Sequence, residues 1–147
     1  MQVEKTYELP DTAELPKTKN ILILEDEDAF AMLLKETLES EGYHVSIVSN
    51  GAEGLKKILT NDFEIILCDM VMPNFPGEMF YLAVERARPN LCNRFIFMTG
   101  HQGDSKIQEF IRRIRGLILW KPFETHVLFD AIKVVTSKKT SISQETT

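Results

Sequence analysis

The chain has 147 residues, of which 44% are hydrophobic and 27% charged, and its formal net charge is −5. A chain of this length forms one domain that folds without a disulfide or a structural metal. Its negative charge argues against non-specific nucleic-acid binding, and no run approaches the roughly 20 apolar residues of a membrane span. Cys68 and Cys92 stand alone and no signal-like segment is present, so we expect a cytoplasmic protein with reduced thiols.

The two ends of the chain differ in composition from the middle. Residues 1–19 carry two prolines and no sustained apolar period, which predicts a linker or an N-terminal extension. Residues 138–147 are polar and low in complexity, so we expect a flexible tail. The folded domain is therefore expected to cover residues 20–137.

Between these ends, short aliphatic runs alternate with amphipathic segments. The predicted strands are ILIL at 21–24, YHVSIV at 43–48, EIILCD at 64–69, RFIFMT at 94–99 and LILW at 117–120. Apolar residues at helical spacing follow each strand; Gly42 is placed to end the first helix, Asn50 to cap the second and Pro89 to stop the third. Five such pairs predict a doubly wound α/β fold, with a five-stranded parallel sheet covered by helices on both faces.

Polar residues follow four of these strands. Glu25 and Asp26 end the first strand, Asp69 the third, Thr99 the fourth, and Lys121 the fifth. In such folds ligands bind beyond the carboxyl ends of the strands, so these side chains are expected to converge.

Carboxylates about 4 Å apart repel by about 4 kcal/mol per pair at an effective dielectric of about 20, and so need a cation. Mg²⁺ prefers such oxygens and leaves positions for phosphate, to which Lys121 adds a point charge. The pattern therefore predicts a site for Mg²⁺ and a phosphoryl group, with Asp69 able to act as a nucleophile.

These motifs resemble the receiver domain of two-component response regulators over about residues 20–137. The motifs are the acidic pair after the first strand (Glu25, Asp26), CDMVMPNFPG with Asp69, MTG with Thr99, and WKPF with Lys121. The resemblance implies a flavodoxin-like strand order of 2-1-3-4-5 and a phosphoacceptor that signals by conformational change. Asp69 would take its phosphoryl group from a histidine kinase or a histidine phosphotransfer protein. Such a domain catalyses its own phosphorylation and dephosphorylation and is not an independent enzyme.

The resemblance also implies the residues that hold the metal. Asp26, Asp69 and the backbone carbonyl of Val71 would coordinate Mg²⁺, and Glu25 would hold it through water. Lys121 would pair with Asp69 and then with the phosphate. The peptide bond between Lys121 and the following proline is expected to be cis.

A second set of residues would form the switch. Thr99 would turn inward when Asp69 is modified, with Gly100 and Ile118 as the other switch positions. Receivers usually carry an aromatic residue where Ile118 stands, so we expect the signal to travel instead through the loop at 100–103 and the fourth helix. A downstream protein would bind helix four, strand five and helix five, and a homodimer is among the expected assemblies. Trp120 is expected to pack under the fifth helix.

Other interpretations remain open at this point. Asp26 and Asp69 could simply cap the segments that follow them. A Mg²⁺-dependent phosphatase with an aspartyl nucleophile generally needs a second acid two residues later, where this chain has Val71. A pseudo-receiver would bind partners without being phosphorylated. The chain is expected to be either a stand-alone regulator or a segment of a hybrid histidine kinase.

Overall fold

A computed structural model describes the backbone of residues 19–145 and the side chains of residues 19–137. The predicted N-terminal linker lies outside the described residues, apart from Lys19. The elements are β1 (Asn20–Leu24), α1 (Asp28–Glu39), β2 (His44–Val48), α2 (Gly51–Thr60), β3 (Ile65–Asp69), α3 (Gly77–Ala87), a 3₁₀ helix (Pro89–Arg94), β4 (Phe95–Thr99), α4 (Ser105–Ile114), β5 (Leu117–Trp120) and α5 (Thr125–Glu145).

The five strands form one parallel sheet in the order β2-β1-β3-β4-β5. This is the predicted 2-1-3-4-5 order, and the five predicted strands are confirmed. The central strands β1, β3 and β4 are apolar almost throughout because helices cover both of their faces. Their carboxyl ends lie side by side, with Leu24 beside Cys68 and Asp69 beside Met98.

The sheet separates two cores, and alternate residues of each strand point into different ones. Leu22 and Leu24 pack with the buried residues of α2, α3 and α4, whereas Ile21 and Ile23 pack with those of α1 and α5. All four side chains are fully buried, and burial of each stabilises the fold by about 1.5–3 kcal/mol. The strand ends are therefore held rigidly between two layers of helices.

The helix ends follow the predicted signals. The Asn50 side chain accepts a 2.9 Å hydrogen bond from the Glu53 N–H at the start of α2. Gly42 lies just after α1 with a φ of 93°, a conformation that glycine adopts without the strain of a β-carbon. Asp104 caps α4 through hydrogen bonds from the Lys106 and Ile107 N–H groups.

Helix α5 is longer than the sequence suggested. Its backbone continues to Glu145, through most of the segment that was separated as a flexible tail. That segment contains no glycine or proline, so nothing local stops a helix. The flexibility of these residues stays a prediction. Among residues 19–145, no helix combines the length and the apolar character needed to cross a bilayer.

Candidate functional site

The predicted polar residues meet at the carboxyl edge of the sheet. Glu25 and Asp26 directly follow β1, Asp69 ends β3, Thr99 ends β4, and Lys121 directly follows β5. The Lys121 N–H donates a 2.8 Å hydrogen bond to the Thr99 carbonyl, which extends the pairing of β4 and β5 by one residue. The backbone thus fixes where each of these side chains starts.

Burial divides the acids into two groups. Glu25 and Asp69 are 1% and 5% exposed, whereas Asp26 is exposed to solvent. A carboxylate removed from water destabilises the fold unless a charged or hydrogen-bonding partner compensates it. Glu25 and Asp69 therefore need a partner within the site.

Lys121 is that partner. Its ammonium nitrogen, Nζ, lies 2.9 Å from Glu25 Oε1 and 3.1 Å from Asp69 Oδ2. The other oxygens of both acids accept backbone hydrogen bonds: Glu25 Oε2 from the Glu27 N–H and Asp69 Oδ1 from the Val71 N–H. Each of the four carboxylate oxygens therefore has a donor, and the two acids are held in fixed orientations.

The electrostatics of this cluster favour binding of a further cation. Burial, with a smaller contribution from the nearby charge of Asp69, raises the pKa of Glu25 above its ordinary value of 4.5 in spite of the hydrogen bond from Lys121. Burial alone would lower the pKa of Lys121, but its hydrogen bond to Glu25 and the charge of Asp69 outweigh burial and raise it. Both shifts mean that the site holds protons tightly, as expected where acids outnumber cations.

The three acids satisfy the geometry of a divalent metal site. Glu25, Asp26 and Asp69 each offer a carboxylate oxygen, and these oxygens lie within 4.8 Å of one another. Opposite ligands of octahedral Mg²⁺ are about 4 Å apart, since each metal–oxygen distance is about 2.1 Å. The donors are hard oxygens of the kind that Mg²⁺ prefers. The residues present therefore fit a Mg²⁺ ion, with Asp26 exposed toward solvent.

The loop after Asp69 is tightly built. The Val71 N–H binds the Asp69 side chain at 3.0 Å, and the Gly77 N–H donates to the Met70 carbonyl at 3.1 Å. A β-carbon on Gly77 would lie 2.6 Å from the Asp69 carbonyl oxygen, so only glycine fits this closure of the loop. The predicted metal ligand Val71 is thereby fixed next to Asp69, while the role of its carbonyl stays a prediction.

Two of the predicted switch residues, Thr99 and Gly100, are neighbours at the end of β4. The Thr99 side chain is fully buried, and its Oγ1 accepts a 3.0 Å hydrogen bond from the His101 N–H. Its hydroxyl proton remains available for donation, because a hydroxyl both donates and accepts. Gly100 is exposed, and a β-carbon there would meet no atom within 4 Å. The space beside the Gly100 α-carbon is therefore open.

The structure locates Ile118 and corrects the placement of Trp120. Both residues line a cavity of about 290 Å³ together with α4 residues Gln108, Ile111 and Arg112. The prediction that Trp120 packs under α5 was wrong. Alternate residues of a strand face opposite sides of the sheet, and Leu119, not Trp120, joins the core beside α5.

Sequence reasoning missed two contacts of Lys121, its hydrogen bond to Glu25 and its contact with the Phe30 ring. The Phe30 ring lies under the ammonium group of Lys121, with 4.7 Å between Nζ and the ring centroid. Phe30 is one of the apolar residues at helical spacing after the first strand, and that spacing assigned it no role in the site. Its position in the first turn after the acidic pair was the available signal, because that turn borders the carboxyl edge of the sheet.

The predicted cis peptide between Lys121 and Pro122 is confirmed.

Comparisons with known proteins identify the chain's family. A model of the response regulator receiver domain matches residues 21–133. The chain belongs to this family. The receiver domain is 29% identical over 140 residues to the sensor kinase CckA of Brucella abortus (strain 2308). The aligned region covers 94% of this chain and 14% of CckA. The chain spans about half the length of two other curated relatives, the response regulator ArlR of Staphylococcus haemolyticus (strain JCSC1435) and the transcriptional regulatory protein RprY of Bacteroides fragilis (strain YCH46).

Solved structures show the same fold. A CheY-like response regulator receiver domain protein from Methanospirillum hungatei JF-1 has a TM-score of 0.75 and 27% identity, covering 85% of this chain and 99% of that one. The response regulator TrrA from Thermotoga maritima, in complex with Mg(2+)-BeF, has a TM-score of 0.68 and 25% identity, covering 80% of this chain and 99% of TrrA. The receiver domain is thus a CheY-like, flavodoxin-like module of two-component systems.

Proposed function

We propose that this receiver domain takes a phosphoryl group onto Asp69 in a Mg²⁺-dependent reaction and signals through a change of conformation. The observation that carries the proposal is the Lys121 ammonium, which lies within hydrogen-bonding distance of both Asp69 and Glu25. Lys121 is already placed where charge develops on a phosphoryl group that reaches Asp69.

In the proposed reaction, a carboxylate oxygen of Asp69 forms a new bond to phosphorus. The P–N bond of a phosphohistidine donor breaks, and its electron pair stays on the imidazole nitrogen, which takes up a proton. The Val71 N–H holds the other oxygen of the Asp69 carboxylate, Oδ1, in place. The attacking carboxylate is therefore already oriented and requires no search of side-chain conformations. Lys121 then exchanges its bond to the Asp69 carboxylate for one to a phosphoryl oxygen.

Thr99 responds to the new group. Its buried hydroxyl accepts a bond from the His101 N–H and has its proton free to donate to a phosphoryl oxygen. A movement of Thr99 toward the phosphoryl group would pull on the backbone of residues 100 and 101. Because the space beside Gly100 is open, we propose that this loop and α4 carry the signal, with Ile118 bordering their movement.

Asp26, Asp69 and the carbonyl of Val71 would hold Mg²⁺, with Glu25 acting through water. When bound, the ion would neutralise charge on the acids and on the phosphoryl oxygens. The similarity to TrrA, whose structure is a complex with Mg(2+)-BeF, supports this assignment.

The partners belong to two classes. We propose a histidine kinase or a histidine phosphotransfer protein as the donor, and a downstream protein that binds the face formed by α4, β5 and α5 in the cytoplasm. The similarity to the sensor kinase CckA supports a function within a kinase relay, either as a separate regulator or as a segment of a longer protein. A phosphorylation-dependent homodimer is part of the same proposal.

The test is to incubate the protein with Mg²⁺ and a small acyl phosphate and to measure its intact mass. We expect an adduct of one phosphoryl group that is absent when Mg²⁺ is chelated and absent in Asp69→Asn. An unchanged mass in folded wild-type protein would refute the proposal. Multiple-turnover hydrolysis of a phosphomonoester would instead identify a phosphatase, a reading that the apolar side chain of Val71 disfavours.

A further inference from the structure

The contact between Phe30 and Lys121 is the only cation–π contact within the described residues that involves the candidate site. The ammonium nitrogen of Lys121 lies 4.7 Å from the centroid of the Phe30 ring. This distance is well within the range of about 6 Å in which the negative face of an aromatic ring attracts a cation. Phe30 therefore contacts the charge that the proposed reaction uses.

The Phe30 ring is itself held in place. It packs edge-to-face against Phe123, with 5.8 Å between the ring centroids and an interplanar angle of 75°. Phe30 is partly buried on α1 and packs against the core between the sheet, α1 and α5. A ring that is fixed on two sides offers Lys121 a surface of constant position.

We propose that Phe30 is a positioning residue of the phosphorylation site, and that its ring keeps the Lys121 ammonium at the point where it meets the incoming phosphoryl group. This inference rests on the proposed function. Phe30 touches neither the phosphoryl group nor Asp69 in this scheme. It acts through Lys121.

The need for such a residue follows from the chemistry of lysine. Its four-carbon stem has large rotational freedom, so an ammonium group that must wait at a fixed point needs partners to hold it. Glu25 and Asp69 hold it in the present structure, but both belong to the set that fits a divalent metal. A bound cation would weaken their attraction for Lys121 by neutralising part of their charge.

The ring differs from both acids in this respect. Phe30 is uncharged and binds no metal, so its attraction for Lys121 is unchanged when the acids take up a cation. The ring also places no negative charge near the phosphoryl oxygens, as a third carboxylate would. Phe30 therefore holds Lys121 in the loaded site without competing for the metal or repelling the phosphate.

If Phe30 served only as an apolar packing residue, the electron density of its ring would not affect the rate of phosphorylation. Changing that electron density at nearly constant shape therefore distinguishes a packing role from a positioning role. We would replace Phe30 in the full chain by phenylalanines that carry increasing numbers of ring fluorines, which weaken the attraction for a cation while nearly preserving shape. The same series at Phe63, a buried ring of the opposite core, is the matched control. The readout is the rate of phosphorylation by a small acyl phosphate with saturating Mg²⁺, alongside the thermal unfolding temperature.

We expect the rate to fall stepwise with each fluorine at position 30, by about three- to tenfold over the series, with little change in unfolding temperature. Phe30→Leu should be phosphorylated as slowly as the slowest fluorinated variant, whereas Phe30→Trp should be phosphorylated at the rate of the wild type. Fluorination of Phe63 should leave the rate unchanged. In the unphosphorylated protein, the Lys121 ε-methylene protons should show an upfield ring-current shift that is lost in Phe30→Leu.

Three outcomes would overturn the inference. Equal rates across the fluorinated series, in a protein whose wild-type form is phosphorylated normally, would refute the positioning role and leave the proposed function intact. Lys121 ε-methylene protons without a ring-current shift would refute the contact itself. A wild-type protein that gains no phosphoryl group would refute the proposed function and this inference with it.

Discussion

Lys121 donates a 2.9 Å hydrogen bond to Glu25, a residue that precedes it by 96 positions. The two residues follow β5 and β1, which are separated in the sheet by β3 and β4. The lysine side chain therefore reaches across the carboxyl edge of the sheet, and Asp69 at the end of β3 lies within its reach at 3.1 Å. One cation joins three strand ends and makes their side chains a single electrostatic unit.

Removal of this cation should separate catalysis from metal binding. In Lys121→Met the stem remains but the charge is lost, so phosphorylation by a small acyl phosphate should slow by about 100-fold or more. Mg²⁺ should bind several-fold more tightly, because Glu25 and Asp69 then repel each other without compensation. Calorimetry and rate measurements on the variant test both effects.

Lys133→Met is the matched control for that experiment, since Lys133 is an exposed residue of α5. It should leave the rate and the metal affinity unchanged. Mg²⁺ binding that weakens in Lys121→Met would show that Lys121 does not compete with the metal for the acids.

The pKa of Glu25 predicts a pH dependence of stability. Because burial raises this pKa above 4.5, the folded state binds the proton more tightly than the unfolded state does. The stabilisation by this proton is fully present below pH 4.5 and is lost as the pH rises through the raised folded pKa. A glutamine at position 25 cannot titrate. Without metal, the free energy of unfolding of Glu25→Gln should therefore increase relative to that of the wild type as the pH rises from about 4 to 7.

Denaturant titrations in the presence of a chelator measure this difference. Glu36→Gln, at an exposed position of α1, serves as the reference substitution. The pKa argument fails if the advantage of Glu25→Gln over the wild type shrinks, instead of growing, between acid and neutral pH.

The sequence was sufficient for the sheet and for the convergence of the site. The central strands β1, β3 and β4 are apolar runs buried on both faces. Parallel strands bring their carboxyl ends to one edge, so the positions of Asp69 and Lys121 followed from chain order alone. Side-chain contacts across that edge did not follow from it. The bond from Lys121 to Glu25 and the ring of Phe30 depend on rotamers that the spacing of residues does not encode.

Two further features of the structure differ from what the sequence suggested. The tail after residue 137 lacks an apolar period, but it also lacks a residue that breaks a helix, so composition did not show that the backbone of α5 continues. Trp120 was assigned to the wrong helix. The alternation of side chains along β5 places it on the α4 side of the sheet.

Gly77 provides a test of the loop that orients Asp69. A β-carbon there would lie 2.6 Å from the Asp69 carbonyl oxygen and 2.9 Å from the Met70 α-carbon. Both are backbone atoms, so Gly77→Ala should destabilise the protein by about 1–3 kcal/mol and slow the phosphorylation of Asp69. Gly103→Ala is the control, since its β-carbon would meet no atom within 4 Å. Equal stabilities of the two variants by chemical denaturation would contradict the close packing described for this loop.

The cavity beside Ile118 predicts that a larger side chain is tolerated there. Ile118 borders a space of about 290 Å³, so Ile118→Phe can extend into it and should change the free energy of unfolding by less than about 1 kcal/mol. Ile66→Phe, at a fully buried position of β3, should lose about 1–3 kcal/mol through overpacking. Thermal unfolding of both variants decides the point, and a loss at position 118 as large as that at position 66 would show that the space is closed in solution.

The central claim is that Asp69, and no other acid of this edge, carries the phosphoryl group. The most direct measurement is to treat the phosphorylated protein with borohydride, which reduces an acyl phosphate to an alcohol, and to locate the altered residue by peptide mass spectrometry. We predict that Asp69 alone is converted to homoserine and that the conversion requires Mg²⁺ during labelling. Reduction at Glu25 or Asp26 with Asp69 unaltered would contradict the account.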